Sequence, residues 1–417
     1  MVAMSIADLD AWFYQLDPGK FPYEAVVGEF HSVGKHFVSP ELLDSLTRAR
    51  TLLPRLNSPW PNVSTLARFL DTALDKPDGR YDYPSYLALS LLQLPSVDDP
   101  VEQTPFTRSR CDRLIVQLAT DALHFELEAA GGGTNLLPDL RPTAAVQAKR
   151  YRLALRAIRP ALARLSLDHR ITETNPEAAA RQACAVVRSD MSVNERRTLM
   201  LTMLPVYTLH DEYMFLRVLQ MYETTFSLLA VHLSAAVAEL AGRVVGHAVH
   251  FLDTAEQALR EATPMFSMLA TMQVESFRTF RDFTEGASAI QSRSYKIVES
   301  LCRPPDRDRV DSAAYQSVPD VRRRVLAGQV TIDDTFRRVR DAGELTDEEC
   351  EQVSAAMRRF AGTLLRWRNT HHRLAVRMLG DVQGSGYTAG APYLAACQHI
   401  PVFESVVVQE NDEVVTA

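Results

Sequence analysis

The sequence predicts an all-α fold, and three kinds of observation carry that prediction. Apolar side chains recur at spacings of three and four, as in Leu364, Trp367, His371, Leu374, Ala375 and Met378, with Arg368 on the edge of their face. Phe215, Leu219, Tyr222 and Phe226 form a second stripe of the same period. Helix punctuation stands beside these stripes: Thr346-Asp347-Glu348-Glu349 opens one helix, Gly380 closes it, and Pro264 breaks another.

Composition sets the outer bounds. A chain of 417 residues suffices for two or three average domains or for one large helical body with insertions. With 46% apolar residues it can bury a sizeable core without disulfides or structural metals. Net charge is −7 and the two signs are interspersed, which argues against nucleic acid or an anionic membrane as the main partner. Cys111, Cys184, Cys302, Cys350 and Cys397 lie far apart and are odd in number, so they read as core thiols of a reducing cytosol rather than a disulfide framework or zinc pair. Residues 1–10 show neither the basic start nor the apolar run of a signal peptide, and no segment offers the roughly 18 uninterrupted apolar residues that span a bilayer. A cytoplasmic protein without membrane attachment is the expectation.

In chain order, residues 1 to about 80 alternate short helical patterns with breaks at Asp17-Pro18-Gly19 and Ser58-Pro59-Trp60-Pro61, and 62–70 reads as one helix with a polar start. Pro84 suits the first turn of a helix whose apolar face is Leu87, Leu91 and Leu94, with Tyr83 and Tyr86 at its mouth. From about 96 to 205 the helical pattern dominates, with helices expected over 106–129, 143–165 and 175–189 and a turn at 130–135. Lys149, Arg150, Arg152, Arg156 and Arg159 form a one-sided stripe, read as a solvated face. Asp211 and Glu212 suit the positive end of the helix that follows. Residues 303–347 are polar, with 303–309 the clearest loop, and 402–417 reads as a frayed end or an edge strand.

Few motifs offer chemistry. Gly384-x-Gly386-x-x-x-Gly390 follows a helix rather than a strand and has the wrong last spacing for a dinucleotide fold. There is no Walker loop, His-Glu-x-x-His or Gly-x-Ser-x-Gly, and His210-Asp211 lacks the further ligands of a metal-dependent phosphohydrolase. A histidine centred on an apolar helical face, as His371 is, can be a core residue or can ligate haem iron through one ring nitrogen. Periodicity alone leaves both open.

The wording around His371 is more specific. Trp367-Arg368-x-x-His371, then Arg377-x-Leu379-Gly380, then the Gly384-Ser385-Gly386 loop and Tyr393-Leu394 resembles the proximal-haem segment of the tryptophan 2,3-dioxygenase family, without gaps. In that resemblance the axial ligand falls on His371 and not on His372, which points roughly 100° further round the helix. Three more segments resemble the family in the same order. Tyr83-x-x-Tyr86-Leu87-x-Leu89 is similar to its pocket-covering segment, often laid over a neighbouring subunit. His210-Asp211-Glu212-x-x-Phe215, with Glu223 further on, is similar to its distal-pocket helix, although Leu219 stands where the family has its distal histidine. The 276–292 stretch is similar to its substrate segment, with Phe277 in place of a common tyrosine, Ala289-Ile290 in place of Gly-Phe, and Arg281 on the arginine that clamps an amino-acid carboxylate.

The resemblance implies a helical bundle holding b-type haem between the 210–226 helix and the His371 helix. It assigns His371 to the iron; Trp367, Ser288 and Gly386 to the cofactor; and Arg281, Phe215, Leu219, Phe277, Tyr83, Tyr86, Leu87 and Ser385 to the substrate. It divides the chain into an N-terminal helical extension (1–80), a pocket-covering segment (81–95), a helical insertion (96–205), a haem-binding core (206–400) and a tail (401–417). The implied activity is haem-dependent insertion of O₂ into tryptophan or a related, possibly substituted, aromatic amino acid, by a homo-oligomer, dimer or tetramer, in a specialised pathway. A haem-dependent hydroxylase of an aromatic amino acid in natural-product biosynthesis and a non-catalytic haem-binding protein are the alternatives.

Overall fold

The computed structural model describes residues 2–56, 62–97, 100–380 and 390–407. Among these residues every regular element is helical, and the strand-like pairing is confined to an isolated bridge between Asp139 and Leu209. The chain divides into two compact units. The first comprises Met1–Leu94, Asp112–Met221 and Ser267–Gln291, and the second Pro95–Cys111, Tyr222–Phe266 and Ser292–Ala417.

In the first unit, helices Val2–Gln15, Tyr23–Val33, Pro40–Leu52 and Asn62–Ala73 close around Leu9, Trp12, Phe30, Leu46 and Phe69. Gly34, at φ +81°, lets this layer meet the 203–207 segment: a Cβ there would lie 2.6 Å from the Val206 carbonyl oxygen, so only glycine fits. The expected long helices occur as Pro100–Ala130, Ala144–Arg164 and Pro176–Asp190, the latter two capped by Thr143 and Asn175. One residue of the supposed solvated stripe departs from expectation. Arg150 is buried, because Glu126 Oε1 at 2.6 Å, Asp211 and Thr271 Oγ1 at 2.9 Å all accept from its guanidinium; Lys149, Arg152, Arg156 and Arg159 are exposed.

The stretch after Pro84 is not one helix. Single turns Tyr83–Tyr86 and Leu89–Leu92 are separated by Ala88 and ended by Gln93, both left-handed at φ +52° and +50°. Asp82 caps the first turn, and Leu87 and Leu91 are buried as the spacing implies.

In the second unit, Asp347–Leu379 is the longest helix and runs against Val245–Glu261, with Thr363 Oγ1 donating to Glu256 at 2.8 Å and Arg359 to Asp253 at 2.6 Å. The Thr346/Glu349 capping box opens it and Gly380, at φ +60°, ends it. The break at Pro264 falls between Val245–Glu261 and Thr263–Leu269. Residues 303–347, read as polar with 303–309 the clearest loop, carry the short helices Arg307–Val310, Ala313–Gln316, Pro319–Leu326 and Ile332–Asp341, the first of which begins inside that loop. Their few apolar residues are nonetheless well placed: Val310, Val321, Phe336 and Val339 are buried. Residues 402–407 form no strand; 408–417 lie outside the described residues. His210–Ala241 is long and apolar enough by composition to cross a bilayer, but most of its apolar window is buried inside the protein, as in a core helix.

Candidate active site

Two groups of residues stand out, one in each unit. In the first unit, Phe215 and Leu219 lie one turn apart on His210–Ala241, and Phe277 and Arg281 one turn apart on Val274–Thr284. The Phe215 ring meets Phe277 at 5.7 Å and Phe280 at 5.1 Å. Phe280, Leu216, Leu87 and Leu137 are buried behind them, whereas Phe215, Leu219 and Phe277 are only partly covered. Arg281 is likewise half-buried. Withdrawal from water draws its pKa below the ordinary guanidinium value, and the Asp282 carboxylate pulls the other way. The result is an apolar, aromatic patch with a poorly solvated cation on the same helix as its second phenylalanine.

The 83–87 segment is fastened within its own unit. Tyr83 N donates to Gln291 Oε1 at 2.8 Å, Tyr86 Oη to Glu212 Oε1 at 3.2 Å, and Gln220 Nε2 to the Leu87 carbonyl at 2.9 Å. Glu212 also accepts from Val206 N at 2.7 Å and Tyr207 N at 3.1 Å. Burial outweighs these bonds and lifts its pKa to about 8. Ser288 joins the same corner, since its N–H reaches Gln291 Oε1 at 3.3 Å. The loop before it can pass there because Gly286 has no side chain: a Cβ would lie 2.9 Å from the Tyr81 carbonyl oxygen.

In the second unit, Trp367 is caged by Tyr222, Phe226, Phe266 and Tyr295 at ring-centroid distances of 5.9, 5.3, 5.4 and 5.4 Å. His371, one turn on, lies 5.2 Å from Trp367 and 6.0 Å from Phe266. Part of its ring stays accessible, yet burial, helped by His372, lowers its pKa to about 4. The ring is therefore neutral at physiological pH, and among the described residues nothing hydrogen-bonds to it. A neutral imidazole with an uncommitted nitrogen is what haem iron requires of an axial ligand, so this residue fits the group. Arg368 is buried rather than on the edge of the face, donating to Tyr295 Oη at 3.0 Å and the Ile400 carbonyl at 2.6 Å.

The structure thus brings Phe215, Leu219, Phe277, Arg281, Ser288, Tyr83, Tyr86 and Leu87 together in one unit, and His371 with Trp367 in the other. Ser385 and Gly386 lie outside the described residues. Sequence reasoning did not find Gln291, Gln220 or the role of Glu212, which bind the covering segment; a glutamine or glutamate on a helical stripe carries no mark of its distant partner. His210 and Asp211 are taken up by Glu126, at 3.1 Å from His210 Nε2, and by Arg150.

No protein-family model matches the chain. It is similar to curated proteins named tryptophan 2,3-dioxygenase. That of Anaeromyxobacter dehalogenans is 27% identical over 223 residues, 46% of this chain and 84% of the relative. One from a Nocardioides species is 29% identical over 215 residues, 44% and 79% of the two chains, and one from Xanthomonas campestris is 24% identical over 218 residues, 44% and 73%.

Proposed function

The chain is a divergent member of the tryptophan 2,3-dioxygenase family, and we propose that it is a haem-dependent oxygenase of tryptophan or a related, substituted aromatic amino acid. The observation that carries this reading is the half-covered patch of Phe215, Leu219 and Phe277 with Arg281 one turn from Phe277. A flat ring on that patch gains apolar burial and edge-to-face contact, and a guanidinium receives its carboxylate through paired, charge-assisted hydrogen bonds.

Haem, when bound, supplies the oxygen chemistry. His371 holds it through its neutral imidazole, and Trp367 and Phe266 fix that ring's orientation by packing. Phe215 and Phe277 seat the substrate ring, and Arg281 sets its direction. Tyr83, Tyr86 and Leu87 exclude water from the patch, held down by Gln291, Glu212 and Gln220. Leu219 offers no acceptor for a ring N–H, which favours an N- or ring-substituted substrate over plain tryptophan. The same absence favours, as a second reading, a hydroxylase of a different aromatic amino acid. In this assignment residues 206–400 form the reactive core and 81–95 its cover.

Oxygen uptake by the haem-loaded protein, over a panel of indole and phenol amino acids under ¹⁸O₂, tests the proposal. Two labelled atoms in the product support the dioxygenase reading and one the hydroxylase. No uptake with any member refutes both.

A further inference from the structure

The helix that carries Phe277 and Arg281 is held at its end by a residue from far away in the chain. After Val274–Thr284 the backbone passes through Glu285 at φ +49°, a left-handed conformation that is costly for a residue with a Cβ. The last four carbonyls of a helix have no partner inside it. Here the Arg281 carbonyl accepts from Thr284 Oγ1 at 2.8 Å and the Thr284 carbonyl from Ala287 N at 3.0 Å, both within the same stretch. The Phe283 carbonyl is met by His36, 247 residues earlier: Nε2 lies 2.7 Å from it and, because a carbonyl only accepts, that nitrogen carries the proton. The same nitrogen is 3.7 Å from Glu285 Oε1, so one imidazole touches both the last turn and the strained residue beyond it.

His36 is itself rigidly held. It sits in the single turn Lys35–Phe37, where Lys35 N donates to the Pro205 carbonyl at 2.9 Å and Lys35 Nζ pairs with Asp75 at 2.7 Å, both side chains fully buried. Its ring stacks on Tyr81 at 6.2 Å and 28°, and the Phe37 ring packs edge-on against Phe283 at 5.4 Å. Backbone, charge and aromatic contacts of one turn thus grip one helix end.

We propose that His36 is a positioning residue for the candidate active site: by capping the last turn of Val274–Thr284 it fixes the Arg281 guanidinium, and with it the place of the substrate carboxylate. The inference rests on the reading of Arg281 as a carboxylate clamp. Arg281 belongs to the turn whose end His36 holds, and fraying of that turn would relieve Glu285 while moving the guanidinium. Paired hydrogen bonds to a carboxylate tolerate little displacement. The first eighty residues, which show no chemical motif, thereby take part in substrate binding.

Hydrogen exchange on the intact chain tests the grip directly. A neutral hydrogen bond is worth a factor of about two to ten, so His36→Ala should speed exchange of the amides over 280–285 by about that much and leave 210–226 unchanged. His36→Gln, whose side-chain amide can donate to the same carbonyl, should restore slow exchange. An unchanged rate in His36→Ala, or a rise spread over the whole chain, overturns the proposal. The second measurement is the affinity of haem-loaded protein for tryptophan relative to tryptamine, which lacks the carboxylate. That ratio should fall about two- to tenfold in His36→Ala and recover in His36→Gln; an unaltered ratio overturns the positioning role. A parent that does not distinguish the two ligands refutes the reading of Arg281, and the substrate-positioning role with it, whereas the exchange result decides separately whether His36 holds the turn.

Discussion

Replacing Arg281 by leucine separates a carboxylate clamp from a surface charge. The residue sits one turn beyond Phe277 on Val274–Thr284, half out of water, and burial lowers its pKa despite the adjacent Asp282. A guanidinium in that state gains more from a bound carboxylate than a fully hydrated one, because part of its desolvation is already met in the free protein. Hydrogen bonds to a charged partner contribute about 1.5–3 kcal/mol net, so Arg281→Leu should weaken amino-acid binding about ten- to a hundredfold. Arg281→Lys, which keeps the charge but loses the planar fork, should recover only part of this. The assay is the binding constant of a tryptophan-type amino acid set against that of the matching amine without the carboxylate, on haem-loaded protein. The amine should bind parent and variant alike, while the acid should not. Equal affinity of the acid for both proteins, with haem content unchanged, refutes the clamp.

The remaining expectations concern the cofactor, the cover and the ring site. His371→Ala should lose the haem absorption band of the purified protein and His372→Ala should keep it; the reverse pattern would show that the register is wrong. Glu212, lifted from 4.5 to about 8 by burial, contributes stability that is fully present below about pH 4.5 and is lost as pH rises through about 8. The unfolding midpoint of the parent should therefore fall between about pH 4.5 and 8 and level off above that, and Glu212→Gln should flatten the fall; identical slopes would remove the assignment. Leu219→His should raise turnover of tryptophan relative to 1-methyltryptophan, since it restores an acceptor for an N–H whose burial unpaired costs about 1–3 kcal/mol. A strong preference of the parent for tryptophan, with no gain in the variant, would sink the substrate inference.

What could be read in advance follows from the range of the signal. Phe215 and Leu219 could be placed on one helix face because a stripe at helical spacing is a local pattern, whereas Phe277 and His371 were singled out only because their neighbours within a few residues resemble a known family's segments. Helices over 143–165 and 175–189 were legible to within a residue or so as Ala144–Arg164 and Pro176–Asp190, whereas the helix expected from 106 begins at Pro100. Arg150 was not legible. In sequence it is one of five basic residues at similar spacing, and only the arrival of Glu126, Asp211 and Thr271 from other helices makes it the buried member. The two separate turns after Pro84 were missed because left-handed Ala88 and Gln93 have no compositional mark; the Ala88 conformation is tolerated since Tyr86 and Leu87, just before it, are tied down by hydrogen bonds.

Those same long-range bonds change how the 96–205 stretch is understood. The resemblance implies that it is an insertion, and composition does not disclose its role. In the structure Arg150, on Ala144–Arg164, ties Glu126 of Pro100–Ala130 to Asp211 at the start of the Phe215 helix and to Thr271 just before the Arg281 helix. Asp121 accepts from Tyr213 Oη and Arg217 Nε, each at 2.7 Å, and Phe125 stacks on Tyr213 at 4.2 Å. The Phe215 helix is therefore positioned by charge pairs, Asp211 with Arg150 and Arg217 with Asp121, whose other halves lie in this stretch, and the segment leading into the Arg281 helix by the hydrogen bonds from Arg150 to Thr271. Removing one partner of such a pair leaves an uncompensated buried charge, at about 3–5 kcal/mol. The stretch acts as the rigid backing that keeps Phe215 and Arg281 in register, and a deletion of it would scatter the patch rather than trim the protein to its core.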